Sequence, residues 1–90
     1  MWMKNKVMIK LIVPELNDTF DIFIPVNDVV WKVKRLILKA VYDLSYGTLD
    51  VSNDYFLVNK DNGKMYLNND IIINTDIRNG TELVLFSKWL

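Results

Sequence analysis

The sequence contains no cysteine and no histidine among its 90 residues. Without cysteine the chain cannot form disulfides, thiolate metal sites or a thiolate nucleophile. Without histidine it lacks the commonest general base and the commonest metal ligand. Only three glycines occur, each isolated, and no spacing of the 11 carboxylates matches a calcium-binding loop. We therefore expect a protein that is not an enzyme and that holds no cofactor or metal.

The chain has no excess of positive or negative charge, because 11 basic residues balance 11 acidic ones. A dedicated nucleic-acid binder relies on many lysines and arginines that neutralise phosphates. One basic cluster does occur, at Lys32, Lys34, Arg35 and Lys39, but no second cluster accompanies it. We expect no nucleic-acid partner.

Long apolar runs are missing as well. No stretch approaches the roughly 18 uninterrupted apolar residues of a membrane-spanning helix. The first residues, MWMKNKVMIKLIVPE, are interrupted by lysines and lead to no small-residue cleavage site, so they do not resemble a signal peptide. These absences predict a cytoplasmic protein without a direct membrane span.

What the sequence does contain is apolar residues, at 51% of the chain, of which many are β-branched or aromatic. Such a composition supports one small folded domain over residues 1–90, with a core from about 6 to 86 and short extensions at both ends. Period-two alternation and turn residues predict five short strands, at residues 6–13, 19–24, 55–59, 64–67 and 81–86.

One helix is predicted between the second and third strands. An N-cap at Asn27 or Asp28 precedes it, and its apolar periodicity continues to about Leu44. Residues 71–77 form an apolar connection before the last strand, and this connection has room for one helical turn. This order predicts an α+β fold in which one main helix packs on a mixed sheet of four to five strands. The β-grasp arrangement, with the last strand beside the first, fits the order best.

Three segments carry a family resemblance. They are FDIFIPVNDVVWKVKRLIL at residues 20–38, VNKD at 58–61, and LNNDIIINTDIRNGTELVLF at 67–86. Together they resemble the YukD/EsaB-like family of ubiquitin-like proteins of bacterial type VII secretion systems (the ESX, Yuk and Ess kind). The resemblance implies a ubiquitin-like β-grasp fold. It further implies a non-enzymatic accessory role, with a component of the secretion system as the protein partner.

An alternative role for a ubiquitin-like protein is conjugation to targets as a protein modifier. Conjugated modifiers end in Gly-Gly, because a flexible tail without side chains must enter the site of the activating enzyme. The present sequence ends in FSKWL and has no Gly-Gly pair upstream. A modifier role is therefore disfavoured.

The predicted helix carries more apolar residues than one buried face requires. At about 100° per residue, six of them point toward the sheet: Val29, Val33, Leu36, Ile37, Ala40 and Leu44. Trp31, Leu38 and Tyr42 form a separate stripe, nearly opposite that direction. Aromatic residues are enriched at the energetic centres of interfaces, so we expect the stripe to bind protein. Alternatives are a membrane surface, a loop at 45–53 or Met1-Trp2-Met3 folding over the stripe, or exposure without a binding role.

The outer face of the sheet is the second candidate surface. Alternation places Phe23 and Phe86 on it, together with Met8, Ile12 and Val84, whereas the position of Leu57 stays open. Outer faces of antiparallel sheets are normally polar, and this one is apolar. We expect docking through one or both surfaces, onto a secretion component or onto a second copy as a homodimer.

Overall fold

Four strands and one long helix make up most of the regular structure in residues 5–88, the part of the chain that the computed structural model describes. The strands and the helix are β1 (Lys6–Val13), β2 (Asp18–Pro25), α1 (Val30–Leu44), β3 (Tyr55–Asn59) and β4 (Glu82–Ser87). Two short 3₁₀ helices lie at Pro14–Leu16 and Ile72–Asn74. Within residues 5–88 no helix is both long enough and apolar enough to cross a membrane.

The strands form one mixed sheet in the order β2-β1-β4-β3. β1 and β2 are an antiparallel hairpin, β4 runs parallel to β1, and β3 is antiparallel to β4. The last strand therefore lies beside the first, as the sequence predicted. The predicted α+β class, with one main helix on a mixed sheet, is confirmed, and the sheet has four strands.

The core lies between α1 and one face of this sheet. Register aligns Leu11 with Leu83 and Leu83 with Asn59, so residues of one parity in neighbouring strands share a face. α1 contributes the valines and isoleucine at positions 30, 33, 37 and 41, all with no exposed surface. The strands contribute Ile9, Leu11, Val13, Ile22, Ile24, Tyr55, Leu57, Leu83 and Leu85.

The start of α1 differs from the prediction. The N-cap is Val29, and no side chain accepts a hydrogen bond from the first turn, so a cap at Asn27 or Asp28 is wrong. Main-chain carbonyls from the segment before the second 3₁₀ helix replace it. The amide of Val30 donates to the carbonyl of Asp70 at 2.8 Å, and that of Trp31 to the carbonyl of Asn68 at 3.2 Å. Free amides at a helix start need such partners, and a distant segment supplies them.

The predicted strand at 64–67 is also wrong, because only a single bridge, Val58 to Met65, forms there. Main-chain hydrogen bonds still tie the segment to β3, from Asn59 to the Lys64 carbonyl at 2.8 Å and from Tyr66 to the Leu57 carbonyl at 3.0 Å, and side chains add to them. The hydroxyl of Tyr66 donates a hydrogen bond to the carboxylate of Asp76, and the amide of Asn59 donates to the Tyr66 hydroxyl at 3.1 Å. Burial and the bond to Asp76 raise the pKa of Tyr66 to about 12. The pairing with β3 thus stops after one bridge, and the side-chain bonds of Tyr66 tie the segment to Asn59 and Asp76.

Candidate functional site

The buried side of α1 is rotated from the predicted direction. The four fully buried positions, 30, 33, 37 and 41, define its centre. Leu36 and Leu44, which the periodicity assigned to the core, are 50% and 55% exposed. Leu44 is the last residue of the helix, so no following turn covers it. Leu36 lies about 100° around the helix axis from the centre of the buried side. Periodicity finds an amphipathic helix, but it locates the buried centre only to within about one residue position.

This rotation places the stripe of Trp31, Leu38 and Tyr42 on a flank of α1 rather than opposite the core. Trp31 and Tyr42 remain 40% and 42% exposed. Leu38 is half-buried and packs against the core. Trp31 and Leu38 line one groove together with Tyr55 and Phe56 of β3, and Leu38 and Tyr42 line a second depression. Two of the three predicted residues are therefore exposed, and the third, half-buried, lines both depressions.

The loop after α1 approaches the stripe without hiding it. Gly47 adopts φ +79°, and a Cβ at this position would lie 3.3 Å from the Tyr42 hydroxyl oxygen. Farther along, the Tyr55 hydroxyl donates to the carbonyl of Asp50 at 2.6 Å and holds the loop against β3. Tyr42 nevertheless keeps its exposure. The other proposed cover, Met1-Trp2-Met3, lies outside the described residues.

Cations surround the stripe. The ammonium of Lys32 lies 5.6 Å from the centre of the Trp31 ring, a cation–π contact. Lys39 forms an exposed ion pair with Asp43, at 3.5 Å. Lys34 turns toward the sheet and donates to the carbonyl of Tyr55 at 3.1 Å. Burial lowers the pKa of Lys34, and the negative charge of Asp54 opposes that change.

Arg35 is the residue that links these features, and the sequence placed it in a basic cluster and on the flank of the stripe, without a binding role of its own. It lies on the wall of three adjoining depressions along α1, one of which also includes Leu36 and another Tyr42. We define the helix face as Trp31, Lys32, Arg35, Leu38, Lys39 and Tyr42. A count of apolar residues passes over Arg35, but the i, i+4 spacing from Trp31 could have found it.

The outer face of the sheet is apolar, as predicted. Phe23 is 53% exposed and pairs with Met8 across β1 and β2, and Phe86 is 40% exposed and pairs with Phe56 across β4 and β3. Ile12 and Val84 are opposite each other between them. We define the sheet face as Met8, Ile12, Phe23, Phe56, Val58, Met65, Val84 and Phe86.

Sequence reasoning missed the contribution of β3 to the sheet face. Leu57, whose position it left open, is fully buried, so Phe56 and Val58 on either side point outward. Met65 joins them through its bridge to Val58. An apolar run such as YFLVN has no polar alternation, so its register follows from pairing with β4.

Charges within the sheet face are balanced locally. Lys10 lies opposite Asp21 on β2 and opposite Glu82 on β4. Glu82 also forms an ion pair with Lys60, at 3.6 Å. The sheet face is therefore an apolar surface with a neutral polar centre.

Comparisons with known proteins identify the fold. No family model and no curated protein sequence matches the chain. Among solved structures, a chain of the MycP5-free ESX-5 inner membrane complex is similar over 92% of this protein, with a TM-score of 0.75 and 17% identity. This protein spans 21% of that chain.

Two further structures are ubiquitin-like by their descriptions. A de novo design based on ubiquitin matches 93% of this protein and 90% of its own chain, with a TM-score of 0.67 and 12% identity. An N-terminal ubiquitin-like domain determined in solution matches 93% of this protein and 76% of its own chain, with a TM-score of 0.64 and 17% identity. The fold is the ubiquitin-like β-grasp.

Proposed function

We propose that this protein is a non-enzymatic, cytoplasmic accessory protein of a type VII secretion system, which acts by docking onto another component of that system. The observation that carries the proposal is the similarity, over 92% of the chain, to part of the ESX-5 inner membrane complex. The resemblance of residues 20–38 and 67–86 to YukD/EsaB-like proteins points to the same kind of system. The lack of histidine and cysteine supports a binding role over catalysis.

Two surfaces are available for docking. The helix face presents Trp31 and Tyr42, and the sheet face presents Phe23 and Phe86, all four at least 40% exposed. Contiguous exposed apolar side chains on a small domain are typical of interaction sites. The proposal requires at least one of these surfaces to be covered by a secretion component.

Co-purification from cytosol and detergent-solubilised membranes tests the proposal. Tagged wild type is compared with Trp31→Glu for the helix face and Phe23→Glu for the sheet face. Leu38 is left unchanged because it packs against the core, where a carboxylate would destabilise the fold. Ile73→Glu is the matched control, since Ile73 is 54% exposed and belongs to neither face.

The expected result is that wild type and Ile73→Glu retain a secretion component, while one of the two face variants loses it. Loss of a second, untagged copy in the same variant would show that the surface closes a homodimer. Wild type that retains no secretion component contradicts the proposal, and a ladder of covalent higher-mass products would favour the modifier role instead. Equal thermal unfolding midpoints of the variants exclude misfolding as the cause.

A further inference from the structure

Charge is distributed unevenly in this neutral protein. α1 carries four cations and a single carboxylate, Asp43, although the whole chain has zero net charge. The remainder of the protein therefore carries the compensating acidic excess. A helix with this imbalance projects a positive potential from its exposed side.

The four cations differ in how far the protein itself satisfies them. Lys34 donates to a carbonyl of β3, Lys39 is paired with Asp43, and Lys32 lies over Trp31. The guanidinium of Arg35 makes no hydrogen bond or ion pair with any residue in 5–88. Arg35 thus offers its donors outward, in the planar arrangement that suits a carboxylate.

The neighbours of Arg35 are the residue types that dominate binding energy at protein interfaces. Tryptophan, tyrosine and arginine are the most enriched at such centres, and α1 presents one of each along a single flank: Trp31, Arg35 and Tyr42. At about 1.5 Å per residue the three span roughly 16 Å, or three helical turns. Such a straight, rigid row matches another helix packed alongside.

We infer that the helix face binds an acidic amphipathic helix of a partner protein, whose carboxylates pair with Arg35 and Lys32 while its apolar side packs between Trp31 and Tyr42. The inference rests on the proposed docking function and names the chemistry of the partner. Charge complementarity selects this occupant over a basic or neutral one. An anionic membrane would meet the same cations, so vesicles are one of the probes in the test.

Defined probes test the inference on the purified full-length protein. The first is a synthetic amphipathic helix of about 20 residues, long enough to hold helical structure, with leucine on one side and glutamate flanking it. The second has lysine in place of every glutamate. The third is a vesicle of equimolar phosphatidylcholine and phosphatidylglycerol. Amide chemical shifts of the ¹⁵N-labelled protein report both the affinity and the residues that each probe contacts.

The glutamate peptide is expected to shift the amides of residues 31–42 and to bind more weakly as salt is raised. Arg35→Glu should reduce its affinity about tenfold or more, since a repulsive charge replaces an attractive one at the centre of the contact. The same variant should gain affinity for the lysine peptide. Lys6→Glu is the matched control, because it makes the same charge change at an exposed position on β1, away from the helix face, and should change neither affinity.

Four results overturn the inference: no binding of the glutamate peptide, equal binding of both peptides to wild type, shifts confined to the sheet face, or binding of the vesicles alone. Failure here leaves the proposed function intact if wild type still retains a secretion component in co-purification. Conversely, peptide binding without any retained component would contradict the secretion role while the surface chemistry stands.

Discussion

The helix face and the sheet face both expose large apolar side chains, but they differ in how their charges are satisfied. On the sheet face Lys10 lies between Asp21 and Glu82, and Glu82 is paired with Lys60. On the helix face the cations outnumber the carboxylates, and Arg35 is unpaired within residues 5–88. The central charges of the sheet face thus offset one another, whereas the helix face is positive.

This difference in charge determines which binding partners each surface can discriminate. A neutral apolar surface gains its affinity from shape and buried area, which many partners can provide. A positive surface rejects cationic partners, and it draws acidic ones at a rate that depends on salt. If both surfaces are used, we expect the contact at the helix face to weaken with salt and the contact at the sheet face to be much less sensitive.

The largest expected effect separates both faces from the core. Ile37→Ala should lower the free energy of unfolding by about 2–5 kcal/mol, because a fully buried side chain leaves a cavity. Leu36→Ala, at the adjacent position and half exposed, should change it by less than about 0.5–1 kcal/mol. Urea unfolding followed by circular dichroism measures both. Similar losses for the two variants would mean that the border of the helix face belongs to the core.

Leu36 and Leu38 show how far the structure could be predicted from the sequence. Alternation in β1 and β2 and the apolar periodicity of α1 are properties of short segments, so strands, helix and fold class were predictable. Leu36 and Leu38 exchanged roles because the rotation of a helix on a sheet depends on packing between distant segments. The same holds for the start of α1, where the carbonyls of Asn68 and Asp70 replace a local cap.

For the candidate surfaces, the sequence predicted which residues are exposed better than it predicted which residues surround them. Trp31, Tyr42, Phe23 and Phe86 are exposed as predicted. The role of Arg35 depends on which partners its guanidinium lacks, and absent partners cannot be read from spacing. Similarly, β3 joined the sheet face only through its register with β4.

A smaller effect tests whether the loop after α1 shapes the helix face. Gly47→Ala places a Cβ at positive φ and against the Tyr42 ring, whereas Gly63→Ala has φ +73° and nothing within 4 Å of its Cβ. Both should lower the free energy of unfolding by about 1–2 kcal/mol, the cost of a left-handed alanine. Only Gly47→Ala should also shift the NMR signals of the Tyr42 ring. Unchanged Tyr42 signals in both variants would show that the loop does not position this residue.

An effect of similar size acts on the sheet face alone. Tyr66→Phe removes both the hydrogen bond donated to Asp76 and the one accepted from the buried Asn59 amide, and it should cost about 1–2 kcal/mol at neutral pH. Its neighbour Met65 belongs to the sheet face, so the Met65 methyl signal should move while the Trp31 indole signal stays. Tyr46→Phe is the matched control, because Tyr46 is almost fully exposed. An unchanged Met65 signal would mean that this hydrogen bond does not hold the edge of the sheet face.

The pH dependence of the Tyr66→Phe effect follows from the two pKa values that the bond changes. The pKa of Tyr66 is raised to about 12, so the unfolded chain ionises first, and wild type loses stability as pH rises from about 10 through 12. The bond from Tyr66 holds the pKa of Asp76 below its ordinary value, so its stabilisation is lost as pH falls through that lowered pKa. The difference in unfolding free energy between wild type and Tyr66→Phe should therefore be largest near neutral pH and shrink toward both extremes. A difference that stays constant from acid to alkaline pH would show that the hydroxyl stabilises the protein through a contact that does not titrate, such as the hydrogen bond it accepts from Asn59.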